Sequence, residues 1–494
     1  MKIQNSLRGD KKMSETAVAK QKQSINKLQN NKWLIFAVTG VACFIVTYSV
    51  NSVSLALPYL AKEFGVAQSS VSWLTMVYSL IPCCCLLVFG SLGDIWGYKK
   101  QFAWGFAFFG IVSLLMPILS VSLPVLIFFR CLQGVGYSML ISITQAIIAR
   151  VFPLAERGKA LGCNTIFVSI GLASGPTIGG ILLSAFGWHS IFWFCVPFCL
   201  LGFITTLVIM PTDEKRDRNK SLDWQGGVLF ALGIGFLSVG VNFINSRGLN
   251  SFMFWGCLAV SICGFLLFVF RENRATNPLM ALGLFKNRGF TFANAAICLN
   301  FIMQQMVIYL VPFYLADVLL LKSHVSGIVM MATPLMMLIF SPVGGSLADR
   351  KGTRLPALTG LILIFAGSLI ISLLAVDSPL WVIIIALLIT GMGNAFFSAP
   401  VNSSVMSSVP LQISGMASGM VATMRNIGQT FGVAIGTLFI TLGSNYYAAR
   451  GVEDGAELYL LAESRAFIFC MVLVVAAWIL VMLLPKTPPR RQSK

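Results

Sequence analysis

Long apolar runs, each closed by a short polar or basic cluster, follow one another from residue 33 almost to the end of the chain. Read with a window of about 19 residues, the pattern predicts helices near 33–60, 70–93, 101–120, 122–149, 158–184 and 187–210. A pair follows near 222–244 and 251–271, then six more near 288–316, 324–348, 355–375, 378–406, 413–442 and 465–484. Each is long enough to cross roughly 30 Å of hydrocarbon. A lipid-spanning helix satisfies its own backbone donors and acceptors, so about fourteen such runs predict an all-α polytopic membrane protein. The division expected is a disordered basic cytoplasmic tail (1–32), an N-terminal six-helix bundle (33–210) and an inserted helix pair with cytoplasmic linkers (211–287). A C-terminal six-helix bundle (288–485) and a second cytoplasmic tail (486–494) complete it.

Composition sharpens the picture. Of 494 residues 57% are apolar and 11% charged, which leaves too little charge to coat a soluble surface. The net charge of +18 suggests nucleic acid only until its placement is read. Lys99 and Lys100, Arg150, Arg157 and Lys159, Lys215 to Lys220, Arg271 and Arg274, Lys286 and Arg288, Arg350 to Arg354 and Lys486 to Arg491 occupy alternate loops. That alternation is membrane topology, and the positive-inside rule puts both termini in the cytoplasm of a multi-pass cell (inner) membrane protein. No nucleic-acid partner is expected. The first apolar run has no small-residue cleavage site behind it, so 1–32 does not read as a signal peptide. The twelve cysteines fall in apolar segments and predict no disulfide framework; His189 and His324 have neither partner nor spacing for a metal, and no cofactor is expected.

An internal repeat is the strongest architectural signal. Gly90-Ser-Leu-Gly-Asp94-Ile-Trp-Gly97-Tyr-Lys99-Lys100 returns 255 residues later as Gly345-Ser-Leu-Ala-Asp349-Arg350-Lys-Gly352-Thr-Arg354, each copy closing the second helix of a group of six. Repeat-built transporters show such symmetry. Glycine permits close helix approach and turning, the aspartate suits a helix N-terminus or a basic partner, and the cations anchor the loop.

The first copy resembles the loop signature of the major facilitator superfamily, in which this loop latches a cytoplasmic gate. Arg130-Cys-Leu-Gln-Gly134-Val-Gly136 resembles that family's fourth-helix motif, whose arginine is associated with proton coupling; an arginine inside a membrane helix needs a partner or a wet cavity. Gly171, Gly175, Pro176, Gly179 and Gly180 resemble the fifth-helix antiporter motif typical of exporters, with glycines four apart forming a groove for another helix. With Asn277 to Phe290 and Arg425-Asn-Ile-Gly428-Gln429, the chain is similar to the fourteen-helix drug:proton antiporter family from about 33 to 485. The resemblance implies the major facilitator fold, two six-helix bundles plus two inserted helices. It also implies proton-coupled export of drugs or amphipathic small molecules by alternating access, with protons, the substrate and the bilayer as partners and a monomer as the working unit.

One departure matters. The first-helix signature normally carries an aspartate, and here Ser49 stands in its place. All seventeen acids read as falling in tails, loops or helix ends, leaving Arg130 and Arg425 without a midplane carboxylate, which favours anionic or neutral amphiphiles over organic cations. The expected substrate path comprises Ser49, Asn51, Tyr78, Asn164, Asn300, Gln304, Asn394, Arg425 and Gln429, since pockets join aromatic walls to a few polar groups. Import of an organic anion or metabolite, or lipid movement, are the alternatives within transport. An enzyme or sensor is disfavoured by the absence of GxxxxGK[ST], HExxH or a soluble domain.

Overall fold

The computed structural model describes residues 32–485 except 67, 72, 212–221, 248–251, 276–277, 281, 322 and 452–453. The tails 1–31 and 486–494, the basic linker from Lys215 to Lys220, Asn277, and the side chains of Pro176, Asp317 and His324 lie outside the described residues.

Every apolar run forms a long helix. In chain order these are α1 (Lys32–Glu63), α2 (Trp73–Trp96), α3 (Tyr98–Leu119), α4 (Leu123–Val151), α5 (Arg157–Phe186) and α6 (His189–Ile209). The inserted pair is α7 (Trp224–Arg247) and α8 (Phe252–Glu272), and α9 (Arg288–Phe313), α10 (Ala332–Lys351), α11 (Arg354–Ser372), α12 (Leu380–Ser407), α13 (Ser414–Ala448) and α14 (Gly455–Met482) complete the array. Among the described residues thirteen are long and apolar enough to cross a membrane; the apolar part assigned to α7, Trp224–Gly240, is shorter.

α1 to α6 pack as one bundle, with α1 against α5 and α2 and α3 against α4; α9 to α14 form a second, with α9 against α13 and α10 and α11 against α12. The bundles meet along α2–α13 and α5–α10, and α7 with α8 lies beside α2 and α13. Each bundle has its own core, one around Tyr48, Phe102, Phe106 and Phe109, the other around Met306, Leu310, Phe397 and Phe467. Trp104, Ile111, Ile118, Val208, Leu266 and Val472 stand exposed, the apolar-outside arrangement that lipid rewards.

One boundary changes the chemistry. α14 starts at Gly455, where the Asp454 side chain accepts the Ala456 N–H at 3.0 Å, ten residues ahead of the helix expected from 465. Glu457, Glu463 and Arg465 dilute a hydropathy window, yet a helix needs only an apolar face. Glu463 is therefore inside α14 and 1% exposed, which corrects the reading that every acid lies in a tail, loop or helix end.

Candidate functional site

The two repeat copies occupy equivalent positions at the end of the molecule that carries the basic loops. α2 runs through Asp94 to Trp96 and turns at Gly97 with φ 101°; α10 runs through Asp349 and Arg350 to Lys351 and turns at Gly352 with φ 85°. Both turns need a left-handed φ that costs a β-carbon about 1–2 kcal/mol. The aspartate carboxylates then point across to the other bundle. Asp94 accepts the N–H groups of Gly415 (3.0 Å) and Met416 (2.8 Å) at the start of α13. Asp349 accepts those of Gly158 and Lys159, both at 2.9 Å, at the start of α5. Each carboxylate thus meets two of the amides that a helix leaves unbonded at its N-terminus, where the helix dipole also favours an anion.

Glycine makes this approach possible. A β-carbon on Gly90 would sit 2.7 Å from the Gly415 carbonyl and 3.0 Å from Gly419, and one on Gly345 would sit 2.0 Å from the Gly158 carbonyl. The facing helices open with Gly415-xxx-Gly419 and Gly158-xxx-Gly162, spacings that were readable in the sequence but drew no expectation. The first cap is more elaborate than the second. The Tyr98 hydroxyl donates to Asp94 at 2.6 Å and lies 2.9 Å from Ser414 Oγ, while Arg150 stacks on the Tyr98 ring at 4.4 Å and donates to the Leu411 carbonyl. Lys99 donates to the last carbonyls of α6 at Leu207 and Met210, and Lys100 and Arg350 point to solvent. A cavity of about 410 Å³, lined by Lys32, Trp33, Glu156, Lys159, Asp349 and Arg350, opens beside the second cap.

The inserted pair is tied to the same place. Asp223 caps α7 at the Gly226 N–H and pairs with Arg271 at 3.4 Å, while Glu272 accepts the N–H groups of Leu279 (3.1 Å) and Met280 (3.4 Å). Ser91, one turn before Asp94, donates to the Leu279 carbonyl at 2.7 Å. The segment after α8 is thereby stapled to the helix that carries the first cap, a connection no local pattern announced.

At mid-bundle, Arg130 on α4 is completely buried. Its Nη1 donates to Gln133 Oε1 (2.6 Å) and Ser49 Oγ (3.1 Å), its Nη2 to the Ser49 carbonyl (3.5 Å) and its Nε to the Leu74 carbonyl (3.4 Å). The guanidinium lies 4.1 Å from the Tyr78 ring centroid, and Gln133 passes the network to Ser113 Oγ at 2.8 Å. Neutral acceptors and an aromatic face surround it on every contact described, so its charge stays uncancelled. Ser49 is one of those acceptors.

Arg425 on α13 faces the other way into the bundle interface. It lies 5.4 Å from the Phe301 ring of α9, within electrostatic reach of Cys43 and Tyr137 of the first bundle, and its buried Nε has no hydrogen-bond partner. Gln429, one turn on, and Gln304, which contacts Met337 Sδ at 3.6 Å, are half-buried. Asn300 and Asn394 bond each other at 3.0 Å and join α9 to α12, so these two serve as a clamp within one bundle. Asn164 contacts Cys43 Sγ at 3.4 Å and Asn51 donates to its own helix at the Thr47 carbonyl.

α1 seats in the glycine stripe of α5. A β-carbon on Gly171 would fall 1.9 Å from Thr47 Oγ1 and 2.8 Å from the Phe44 carbonyl, one on Gly175 2.5 Å from Asn51 Cβ, and one on Gly179 2.9 Å from Ser52 Cβ. Gly180 is half-buried on the same helix. The stripe grips α1 over the stretch that holds Ser49. Gly171→Ala is expected to push the helices apart at about 1–3 kcal/mol, lowering the melting temperature in detergent and transport at least tenfold, whereas Gly256→Ala in α8, with open space around it, leaves both unchanged. Equal behaviour of the two variants would mean that this contact sets nothing.

Comparison with known proteins supplies the frame. The family model of the Major Facilitator Superfamily matches residues 39–433 and, again, 293–494. The riboflavin transporter RibZ of Clostridioides difficile is 33% identical over 88% of this chain and 94% of its own. The multidrug resistance protein Stp of Mycobacterium tuberculosis is 29% identical over 88% of this chain and 82% of its own. The crystal structure of the human organic anion transporter MFSD10 has the same fold, with a TM-score of 0.62 at 14% identity over 93% of this chain and 99% of that one.

Proposed function

We propose, from the premise that this chain belongs to the Major Facilitator Superfamily and is a multi-pass secondary transporter rather than an enzyme, that it exports amphipathic small molecules across the cell membrane in exchange for protons. In this reading the basic end is cytoplasmic and the two bundles rock about a site between Arg130 and Arg425. The observation that carries it is the pair of reciprocal caps: Asp94 on α13 and Asp349 on α5 close one end of the bundle interface with matched, breakable contacts. Both caps go together or not at all when the bundles rock, which is the mechanical requirement of alternating access. The α1–α5 stripe and the multidrug relative support export.

Two arginines without a paired carboxylate, Arg130 within the first bundle and Arg425 at the bundle interface, favour anionic or neutral, electron-rich substrates over cations. They also support a second reading, uptake of a neutral heteroaromatic compound, favoured by the riboflavin-transporting relative and by Ser49 in the place of an acid.

The test is flux in proteoliposomes loaded with a pH-sensitive dye and offered fluorescein (anionic), riboflavin (neutral) or ethidium (cationic). The expected result is proton movement elicited by the anionic or neutral probe, opposite in direction to the probe. Riboflavin moving with protons would favour the second reading, and ethidium alone driving protons would overturn the charge argument.

A further inference from the structure

Among its described residues the C-terminal bundle holds one buried carboxyl, at Glu463. Glu463 is the ninth residue of α14, 1% exposed, and its Oε1 has no hydrogen-bond partner. Its neighbours on α14 are Leu460, Ala466 and Phe467, all in the apolar core of the bundle. An ionised carboxylate is not tolerated in such surroundings without a cation or donors, so burial favours the neutral acid, a group that holds one proton.

The elements packed around Glu463 give that proton a purpose. α14 packs on α9, α11 and α13. Tyr459 and Glu463, four residues apart, share one face of α14. Opposite them is the point where α9 loses its regularity: Pro312 interrupts the helix and a single π turn, Tyr314–Val318, follows. The Tyr459 hydroxyl donates to the Leu310 carbonyl at 2.8 Å, and the Tyr314 phenol is within electrostatic reach of Glu463 while donating to the Ala375 carbonyl in the loop after α11. That loop also carries the exposed Asp377, and Ser464 donates to the Ser372 carbonyl at the end of α11. Single π turns are frequent at functional sites.

Among the described residues, no charged side chain pairs with Glu463. The titratable residue of α11 is Arg354, at the helix's opposite end. α13 presents Tyr447, whose hydroxyl accepts the Arg465 Nε–H at 3.0 Å on the exposed side, and α9 presents Tyr309, edge-on to Phe313. Cys470, two turns deeper, meets Met306 Sδ. Among the described residues Tyr314 is therefore the titratable group facing the carboxyl, and it lies between Glu463 and the loop at the end opposite the Asp94 and Asp349 caps.

We propose that Glu463 is the proton-binding residue of the C-terminal bundle, exchanging its proton along Tyr314 toward the loop after α11 and biasing the π turn of α9 by its protonation state. Coupling to transport rests on the proton-antiport reading above; proton binding itself does not. The step is a proton transfer only: the carboxyl O–H bond breaks, the proton passes to water at the loop through the Tyr314 hydroxyl, and the carboxylate left behind is re-protonated when the cycle returns.

The experiment has two arms, both on the full chain in liposomes. In the first, pH-difference infrared spectroscopy compares wild type, Glu463→Gln and Tyr314→Phe. A protonated-carboxyl band that titrates in wild type and is missing in Glu463→Gln is expected; a wild type without that band, or an unchanged band in Glu463→Gln, overturns the proposal. In the second, riboflavin and fluorescein are followed both as exchange at equal pH and as proton-coupled flux. Exchange within about twofold of wild type with proton movement lowered at least tenfold is expected for Glu463→Gln, with partial recovery in Glu463→Asp. Proton-coupled flux intact in Glu463→Gln overturns the coupling role. If wild type moves no protons with any probe while the infrared band still titrates, the antiport reading has failed and the proton site stands.

Discussion

Asp94→Asn is expected to strip protection from the Gly415 and Met416 amides in hydrogen exchange and, at the same time, from Gly158 and Lys159 in the other cap. Each carboxylate accepts two N–H groups at 2.8 to 3.0 Å. Hydrogen bonds to a charged acceptor contribute about 1.5–3 kcal/mol net apiece, and an amide retains one neutral acceptor of the two. A loss of about 2 kcal/mol per cap follows, roughly 30-fold in the ratio of closed to open interface, and Asp94→Asn with Asp349→Asn together approach about 10³-fold. Transport is expected to fall at least tenfold in each single variant, because a transporter that cannot hold one end shut leaks its gradient or stalls. The reading depends on coupling between caps that lie on different pairs of helices. If Asp94→Asn deprotects α13 alone and leaves the α5 amides as they were, the bundles do not move as rigid bodies and the reciprocal-cap account fails.

These caps show what a sequence does and does not announce. The 255-residue repeat located both aspartates and both turning glycines, because a motif that must fit two helices within a few ångströms leaves little freedom in its spelling. Their partners are amides at the starts of α5 and α13, and backbone N–H groups have no spelling at all; only Gly158-xxx-Gly162 and Gly415-xxx-Gly419 betrayed that something approaches closely. The helices themselves were legible to within a few residues, since hydropathy reports the solvent outside each one. That same averaging hid Glu463, where three charged residues in the first turns of α14 masked a helix that buries one of them and turns another outward. The Asn300–Asn394 pair shows a different limit. An amide in an apolar helix reads alike whether it faces a substrate or another amide, and only the register of α9 against α12 decides.

Replacing Arg130 is expected to give the largest single loss. The guanidinium holds together α1, α2 and α4 through Ser49, the Leu74 carbonyl, Gln133 and the Tyr78 ring. Arg130→Ala leaves Ser49 Oγ and Gln133 Oε1 buried without their donor, at about 1–3 kcal/mol each, together with a side-chain-sized void. Transport is expected to drop at least 100-fold and the melting temperature by several degrees. Lysine separates scaffold from function: it keeps the charge as a point but cannot fork to Ser49 and Gln133 at once. Arg130→Lys is expected to recover most of the stability and little of the transport; recovery of both would reduce the residue to a structural cation. The charge itself is tested by Ser49→Asp, which sets a carboxylate where Ser49 Oγ now lies 3.1 Å from Nη1. Such a pair cancels the field that favours electron-rich substrates, so fluorescein flux is expected to fall relative to ethidium flux. An unchanged ratio would mean that substrate never senses Arg130, and that selectivity is set across the interface, at Arg425 and Phe301.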